Sequence, residues 1–364
     1  MKEKLKIGVL FGGRSSEHNI SLLSAKNVIE TMDKEIFEPV MIAIDKDGVW
    51  HYNEGPMAII HPDDARAIAI HNLDNPVIFS QNANEQTLYS TRSGKALMNI
   101  DVLFPVLHGT YGEDGSVQGF AKLANIPCVG CGILGSAAGM DKDITKRLLR
   151  DGGVPVAQFV TLRKGFNDEL TYEEITRQLG YELFVKPANL GSSVGVSYVQ
   201  NREEFEQAVT EGFEYDHKLV IEEKITGREI ECAVLGNLNP QASLIGEVVQ
   251  TGLGWYTFEN KYVNAAGSRT DIPAQFSEEI SDRARKMAVT TYRLLECEGL
   301  TRVDMFVKDD GEILVNEINT LPGFTAVSMY PKLWEATGIP YKALITRLIE
   351  LAIESHRERN ALRQ

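Results

Sequence analysis

The run Thr301-Arg302-Val303-Asp304-Met305-Phe306-Val307-Lys308-Asp309-Asp310-Gly311-Glu312-Ile313-Leu314-Val315-Asn316-Glu317-Ile318-Asn319 concentrates side chains that can do chemistry. Asp310-Gly311, between β-rich segments at 300–308 and 312–319, signals a two-residue hairpin loop. With that loop Asp309 faces Glu312, Asp304 faces Glu317 and Arg302 faces Asn319, the last four on one side because strand side chains alternate. Two carboxylates directly opposite each other repel, so the arrangement needs compensation. A divalent cation would supply it, and Asp, Glu and Asn offer oxygen ligands only, which suits Mg²⁺ shared with substrate phosphates better than zinc. The plainer alternative is a solvated face with both carboxylates in water. A three-residue loop would shift the register and separate the pair.

A second stretch, Phe184-Val185-Lys186-Pro187-Ala188-Asn189-Leu190-Gly191-Ser192-Ser193-Val194-Gly195-Val196, reads as strand, glycine-serine loop and strand. Such a loop can turn backbone N–H groups and hydroxyls toward phosphate oxygens, with Lys186 adding positive charge. It is not a Walker A motif, since no Gly-Lys-Ser/Thr closes it, and a plain hairpin turn is the alternative. Near the N-terminus Gly12-Gly13 precedes Glu17 at the start of a helix, without a GxGxxG pattern. Glu17 either satisfies the helix dipole or points at a substrate ammonium at the carboxyl edge of a sheet. His108-Gly109 ends another strand at the same edge, where a structural histidine is the alternative reading. His18, His51, His61 and His71 carry no functional reading.

The elements that must position these residues fall into three units. Residues 5–11 form a continuous apolar strand followed by a helix, and further strands at 37–44 and 101–107 suggest a parallel α/β sheet. The polar stretch 72–95 reads as a loop or insertion. A long helix then runs through Asp141, Lys142, Lys146 and Leu149 to Gly152-Gly153, with Pro155 barring its continuation. The second unit carries strands at 183–186, 196–199 and 219–223 and a helix from Arg202. The third starts near Thr226-Gly227, with strands at 229–235 and 244–249, an irregular segment 252–269, a helix 277–296, the hairpin and C-terminal helices. The expected domains are 1–134, 135–224 and 225–364.

Composition narrows the function further. The 364 residues hold 37 Lys and Arg against 51 Asp and Glu, a net charge of −14 that repels phosphate backbones and argues against a nucleic-acid platform. No apolar run reaches the ~18 residues of a membrane span, and Met1-Lys2-Glu3-Lys4 leads into a strand without a signal-peptide core, so a cytoplasmic protein is expected. Cys128 and Cys131 form a CxxC that Cys232 and Cys297 cannot complete by spacing, so reduced buried thiols are expected.

Together these segments resemble the D-alanine:D-alanine ligase family of the ATP-grasp superfamily over nearly the whole chain. The resemblance rests on Gly12 to Ser21, Leu107-His108-Gly109 with Gly112-Glu113-Asp114-Gly115, Met140-Asp141-Lys142, Lys186 to Gly195, and Glu317 to Thr325, in family order. It implies an α/β, three-domain ATP-grasp fold whose N-terminal domain is a Rossmann-like parallel sheet, with ATP between the second and third units. Lys142 and Lys186 would contact phosphates, Glu222 and the backbone of Glu223, Lys224 and Ile225 the adenine edge, and Glu229 the ribose. Trp255 and Phe306 would line the ring, with Lys261 and Ser192 also at the nucleotide. Asp304, Glu317 and Asn319 match the family's Mg²⁺ ligands, with two ions per site expected and Mn²⁺ as a substitute.

In such ligases one D-alanine carboxylate takes the γ-phosphate of ATP, and the amine of a second attacks the acyl phosphate. Glu17 would hold the first ammonium with His108 close by. Arg302 and the Gly323 N–H would stabilise the oxyanion, and Ser328 and Met329 would meet the second carboxylate. Ser192 and Tyr262 resemble lid residues linked to Glu17, and Lys261-Tyr262 favours D-alanine over D-lactate as acceptor. Ala188-Asn189-Leu190 and Met329 depart mildly from the family pattern. A homodimer is implied, with neither nucleic acid nor membrane as partner. The competing readings are a related ligase with a D-lactate or D-serine acceptor, a non-catalytic nucleotide-binding regulator, and a Rossmann oxidoreductase, which the missing GxGxxG disfavours.

Overall fold

The structure, a computed structural model, describes residues 3–52, 59–60, 68–70, 73–80, 82–165, 170–250 and 268–362. The first strand, Leu5–Gly12, is apolar and buried from Ile7 onward because it lies inside a parallel sheet. It pairs in parallel with Phe37–Ile44 and Val102–Pro105, and Trp50–Tyr52 adds an antiparallel outer edge. At its end Gly12 has φ +90°, and a Cβ there would sit 2.2 Å from the Ile44 carbonyl oxygen. Only glycine lets the chain turn there into the helix His18–Thr31.

The stretch expected as a polar loop holds the short strands Val77–Phe79 and Thr87–Ser90 instead, which form an antiparallel sheet with Ala96–Asn99 just beyond it. Strands of three or four residues are too short for alternation to stand out, and this sheet is fixed by packing: Phe79 meets Trp50 and Phe120 edge-on. The expected long helix is likewise two, Ile133–Met140 and Lys142–Asp151. Asp141 breaks it with extended backbone, and its side chain accepts the Ile144 N–H at 3.1 Å as an N-cap.

The second sheet, antiparallel, runs in the order Phe159–Arg163, Lys218–Glu223, Leu183–Pro187, Ser197–Val199, with the helices Tyr172–Leu179 and Arg202–Tyr215 buried against it through Ile175 and Phe205. The third runs Ser268–Asp271, Gln241–Gln250, Arg228–Leu235, Leu300–Val307, Ile313–Asn319, covered by Glu278–Leu294. The helix Met329–Thr337 packs on Gln241–Gln250 and Arg228–Leu235 of the third sheet, and Tyr341–Ala361 returns to the first, where Leu344 and Leu348 share one apolar core with Ile7 and Phe104. All four cysteines are free; Cys131, Cys232 and Cys297 are buried, whereas Cys128 is only half-buried.

The hairpin differs from expectation in a way that cancels. Its loop has three residues: Lys308 donates to the Glu312 carbonyl at 2.9 Å, and Gly311, at φ +81°, donates to the Lys308 carbonyl at 2.9 Å. Val307 therefore pairs with Ile313 and Met305 with Val315, one residue off the expected register. A bulge at Asn316 then takes up the extra residue and restores Asp304 opposite Glu317 and Arg302 opposite Asn319.

Candidate active site

Two cavities meet at Lys142, the Leu190-Gly191-Ser192 loop and Glu317. The larger, of about 690 Å³, opens between the second and third sheets and is lined by Lys186, Glu222 to Glu229 and Phe306. The smaller, of about 60 Å³, is bounded by Glu17, His108, Glu113, Arg302, Asn319 and Gly323. Ser328 and Met329 line neither cavity. Ser328 caps a tight turn, accepting the Thr325 N–H at 2.9 Å, and Met329 is buried with its Sδ-methyl packed against Gly246. Trp255, Lys261 and Tyr262 lie outside the described residues.

In the larger cleft the charges are ordered around one carboxylate. Glu222 lies 3.2 Å from Lys146 Nζ and 2.8 Å from Lys186 Nζ, with Lys146 wholly buried. Burial pushes the Glu222 carboxyl up, but the two ammonium charges outweigh it and hold it down at about 2. The carboxylate expected at an adenine edge is thus engaged with lysines, and it orients Lys186. Burial lowers the Lys142 ammonium, while the nearby Glu317 charge opposes that shift. Lys146 was not legible as a site residue in the sequence, where it reads as an ordinary helix position. Glu223 and Lys224 turn their side chains to Gln158 N and Glu182, leaving their backbone to the cleft.

The glycine-serine loop is held on three sides. Asp216 accepts both the Asn189 backbone N–H at 2.8 Å and its side-chain amide at 3.0 Å, and Lys142 Nζ donates to the Leu190 carbonyl at 2.5 Å. Ser192 and Ser193 are both left-handed, a conformation that costs energy away from glycine and clusters at ligand-binding turns. The Ser192 hydroxyl donates to the Glu17 carboxylate. Glu17 occupies the N-cap position of its helix without a capping hydrogen bond, and its side chain lines the smaller cavity.

His108 is buried, and burial chiefly lowers its pKa although Glu17 opposes the shift. Its Nδ1 lies 3.2 Å from the Leu321 carbonyl, which can only accept, so Nδ1 carries the proton and Nε2 accepts from Ser24 Oγ at 3.1 Å. The neutral ring ties the N-terminal sheet to the loop after the hairpin. Glu113, beside Glu17, accepts the Gly109 N–H at 2.8 Å; burial and the Glu17 charge push its carboxyl up to about 8. Its signal in the sequence was the Gly112-Glu113-Asp114-Gly115 segment itself.

At the hairpin Arg302 forks onto Asp304 through two bonds of 2.7 Å, and its Nε lies 2.9 Å from the Glu231 carboxylate. The Asn319 amide donates to Asp304 at 3.1 Å. Among the described residues no three His, Cys, Asp or Glu side chains converge as a ready cation cage. The oxygen-only set of Asp304, Glu317 and Asn319 nevertheless shares one face of the hairpin, with Glu317 lining both cavities and Asn319 the smaller, a donor chemistry that fits a hard divalent ion.

A nucleotide-sized cleft gripped between two antiparallel sheets, with a serine-glycine loop over it and a parallel α/β sheet closing one end, defines an ATP-grasp ligase fold. The chain belongs to the D-alanine–D-alanine ligase family: the family's N-terminal pattern, described as D-ala D-ala ligase N-terminus, matches residues 6–131, and its C-terminal counterpart matches 148–350. It is 49% identical to D-alanine–D-alanine ligase A of Escherichia coli K12 over 361 residues, 99% of both chains. Among solved structures it is similar to the D-alanine-D-alanine ligase of Coxiella burnetii, with TM-score 0.84 and 40% identity over 98% of this chain and 96% of that one. The VanG D-Ala:D-Ser ligase of Enterococcus faecalis has TM-score 0.83 and 36% identity, covering 96% of this chain and 100% of its own. The family uses ATP and a divalent metal.

Proposed function

We propose that the protein joins two molecules of D-alanine into D-alanyl-D-alanine with cleavage of ATP to ADP and phosphate, for peptidoglycan precursors. The observation that carries this reading is the junction of the two cavities, where Lys142, Ser192 and Glu317 face both. ATP occupies the larger cleft, its phosphates directed by Lys142, Lys186 and the Ser192 loop, its adenine by the backbone of Glu223 to Ile225 and by Phe306, and its ribose by Glu229. Glu17 binds the ammonium of the first D-alanine, with His108 keeping the loop beside it in place. One carboxylate oxygen attacks the γ-phosphorus and ADP leaves. The second amine then attacks the carbonyl carbon, losing a proton, and phosphate departs. Arg302 and the Gly323 N–H stabilise the oxyanion, a contribution that is often the largest in acyl transfer, and the reading is supported by both residues lining the smaller cavity.

Asp304, Glu317 and Asn319 would hold divalent metal, Mg²⁺ with two ions per site or Mn²⁺ in its place, which neutralises phosphate charge during transfer. Ser328 and Met329 are assigned to the second substrate's carboxylate by family resemblance alone, and Lys261-Tyr262 to acceptor choice on the same ground. The reading includes domains at 1–134, 135–224 and 225–364, a homodimer by family analogy, and residence in the cytoplasm. None of the described helices is long and apolar enough to cross a membrane.

The experiment is phosphate release from ATP and Mg²⁺ with D-alanine, L-alanine, D-serine or D-lactate, each product identified by mass. Release that depends on D-alanine and yields the dipeptide is expected. A D-serine or D-lactate product forming as readily near neutral pH would replace the acceptor, and no release with any of them would favour a nucleotide-binding regulator.

A further inference from the structure

Three carboxylates stand abreast on the third sheet. Glu231 in Arg228–Leu235 pairs with Asp304 in Leu300–Val307, and Asp304 pairs with Glu317 in Ile313–Asn319. Glu231 and Asp304 are both buried, so their mutual repulsion must be met by a fixed positive charge. Arg302 meets it from the same strand face, two residues before Asp304 and opposite the small Ala233. Its Nε–H and its terminal nitrogen both donate to Asp304 at 2.7 Å, while the Glu231 carboxylate stands 2.9 Å from Nε as a second ion-pair partner of the same guanidinium.

This sharing sets up a competition. Asp304 cannot give the same oxygens to a cation and to the Arg302 fork, and the cation reading above needs those oxygens. Arg302 in turn lines the small cavity, where it is needed as a free donor. We propose that Glu231 is a positioning residue that holds Arg302 by its Nε edge when Asp304 turns to the cation. The terminal nitrogen that Asp304 then releases turns its N–H groups toward the substrate cavity, which Arg302 already lines. A carboxylate that orients a ligand's competitor in this way acts on metal affinity and on turnover together, the usual signature of outer-shell partners. The proposal rests on the roles given above to Arg302 and Asp304.

The test uses the full chain with Glu231→Gln, Glu231→Asp, Arg302→Ala and the Glu231→Gln/Arg302→Ala double variant. Binding of Mn²⁺ in the presence of ADP is followed by the electron-paramagnetic signal of free Mn²⁺, alongside kcat and KM for D-alanine and ATP. For Glu231→Gln we expect kcat/KM for D-alanine to fall about 10- to 100-fold with KM for ATP unchanged. Mn²⁺ should bind several-fold more weakly, because Arg302 stays on Asp304, and Glu231→Asp should recover part of both losses. Without Arg302 the Mn²⁺ effect of Glu231→Gln should shrink to under about twofold, since no competitor remains. Wild-type kinetics and Mn²⁺ affinity in Glu231→Gln would overturn the proposal, as would a loss of equal size with and without Arg302. If Glu231→Gln does not fold, Glu231→Asp with and without Arg302→Ala gives the same comparison. Should Arg302→Ala itself turn over normally, the reading of Arg302 fails; should it collapse turnover while Glu231→Gln does not, only the present inference fails.

Discussion

The hydroxyl of Ser192, in the loop between two strands of the second sheet, donates to the carboxylate of Glu17 across 175 residues of sequence. That bond ties the glycine-serine loop to the smaller cavity at the carboxyl edge of the first sheet. Ser192→Ala should leave the fold intact and lower kcat/KM for D-alanine by about 10- to 100-fold, because loop and ammonium partner lose their shared restraint. Hydrogen exchange at 189–195 should speed up in the variant. Unchanged exchange and kinetics would show that the bond is idle.

Glu317 lines both cavities and stands opposite Asp304. Glu317→Gln keeps the shape and removes a charge, so turnover should fall to a small residue that saturating Mg²⁺ does not restore. Chelation of metal from the wild type should abolish turnover and readdition of Mg²⁺ should return it. A full wild-type rate for the variant at saturating Mg²⁺ would refute the ligand assignment.

Glu222 neutralises two lysines, one of them wholly buried. Removing it in Glu222→Leu leaves an unpaired buried ammonium and should cost about 3–5 kcal/mol, read from the midpoint of urea unfolding. The folded carboxyl, held at about 2, lies below its ordinary 4.5. Its stabilising contribution is therefore complete above about 4.5 and is lost as pH falls toward 2. The stability gap between wild type and variant should narrow over that window, and a gap that stayed constant would contradict the pairing.

Glu113 has the opposite sign. Its carboxyl is raised from 4.5 to about 8, so the folded protein keeps a proton that the unfolded chain has released. The contribution it makes below 4.5 is lost as pH rises through about 8. Glu113→Gln, neutral at every pH, should gain stability relative to wild type between those values. Parallel unfolding curves for the two proteins across pH 4.5 to 8 would mean that Glu113 ionises normally.

Gly311 closes the three-residue hairpin loop at φ +81°, with room for a methyl group beside Ile280 at 3.4 Å. Gly311→Ala should therefore cost about 1–2 kcal/mol in unfolding free energy from backbone strain alone, with KM values unchanged. A neutral substitution would imply that the loop adopts another turn.

By itself the sequence determined the strong local patterns: the apolar first strand, the Gly12 turn, the serine-glycine loop and the acidic hairpin, because period, turn residues and chemistry-bearing side chains are properties of neighbours in the chain. It also carried most of the residues that line the two cavities. Tertiary structure decided what depends on distant partners. The small sheet spanning 77–99 is set by Phe79 packing on Trp50 and Phe120, and the helix break at Asp141 by a cap chosen over continuation. Lys146 and Glu231 acquire their meaning only when sheets bring Glu222 and Arg302 against them. The hairpin shows the division most clearly: a two-residue loop was read where three residues fold, and the pairing of Asp304 with Glu317 survives because the Asn316 bulge absorbs the difference. A bulge follows from how a whole strand must twist and pair in its sheet, which no local run of residues specifies.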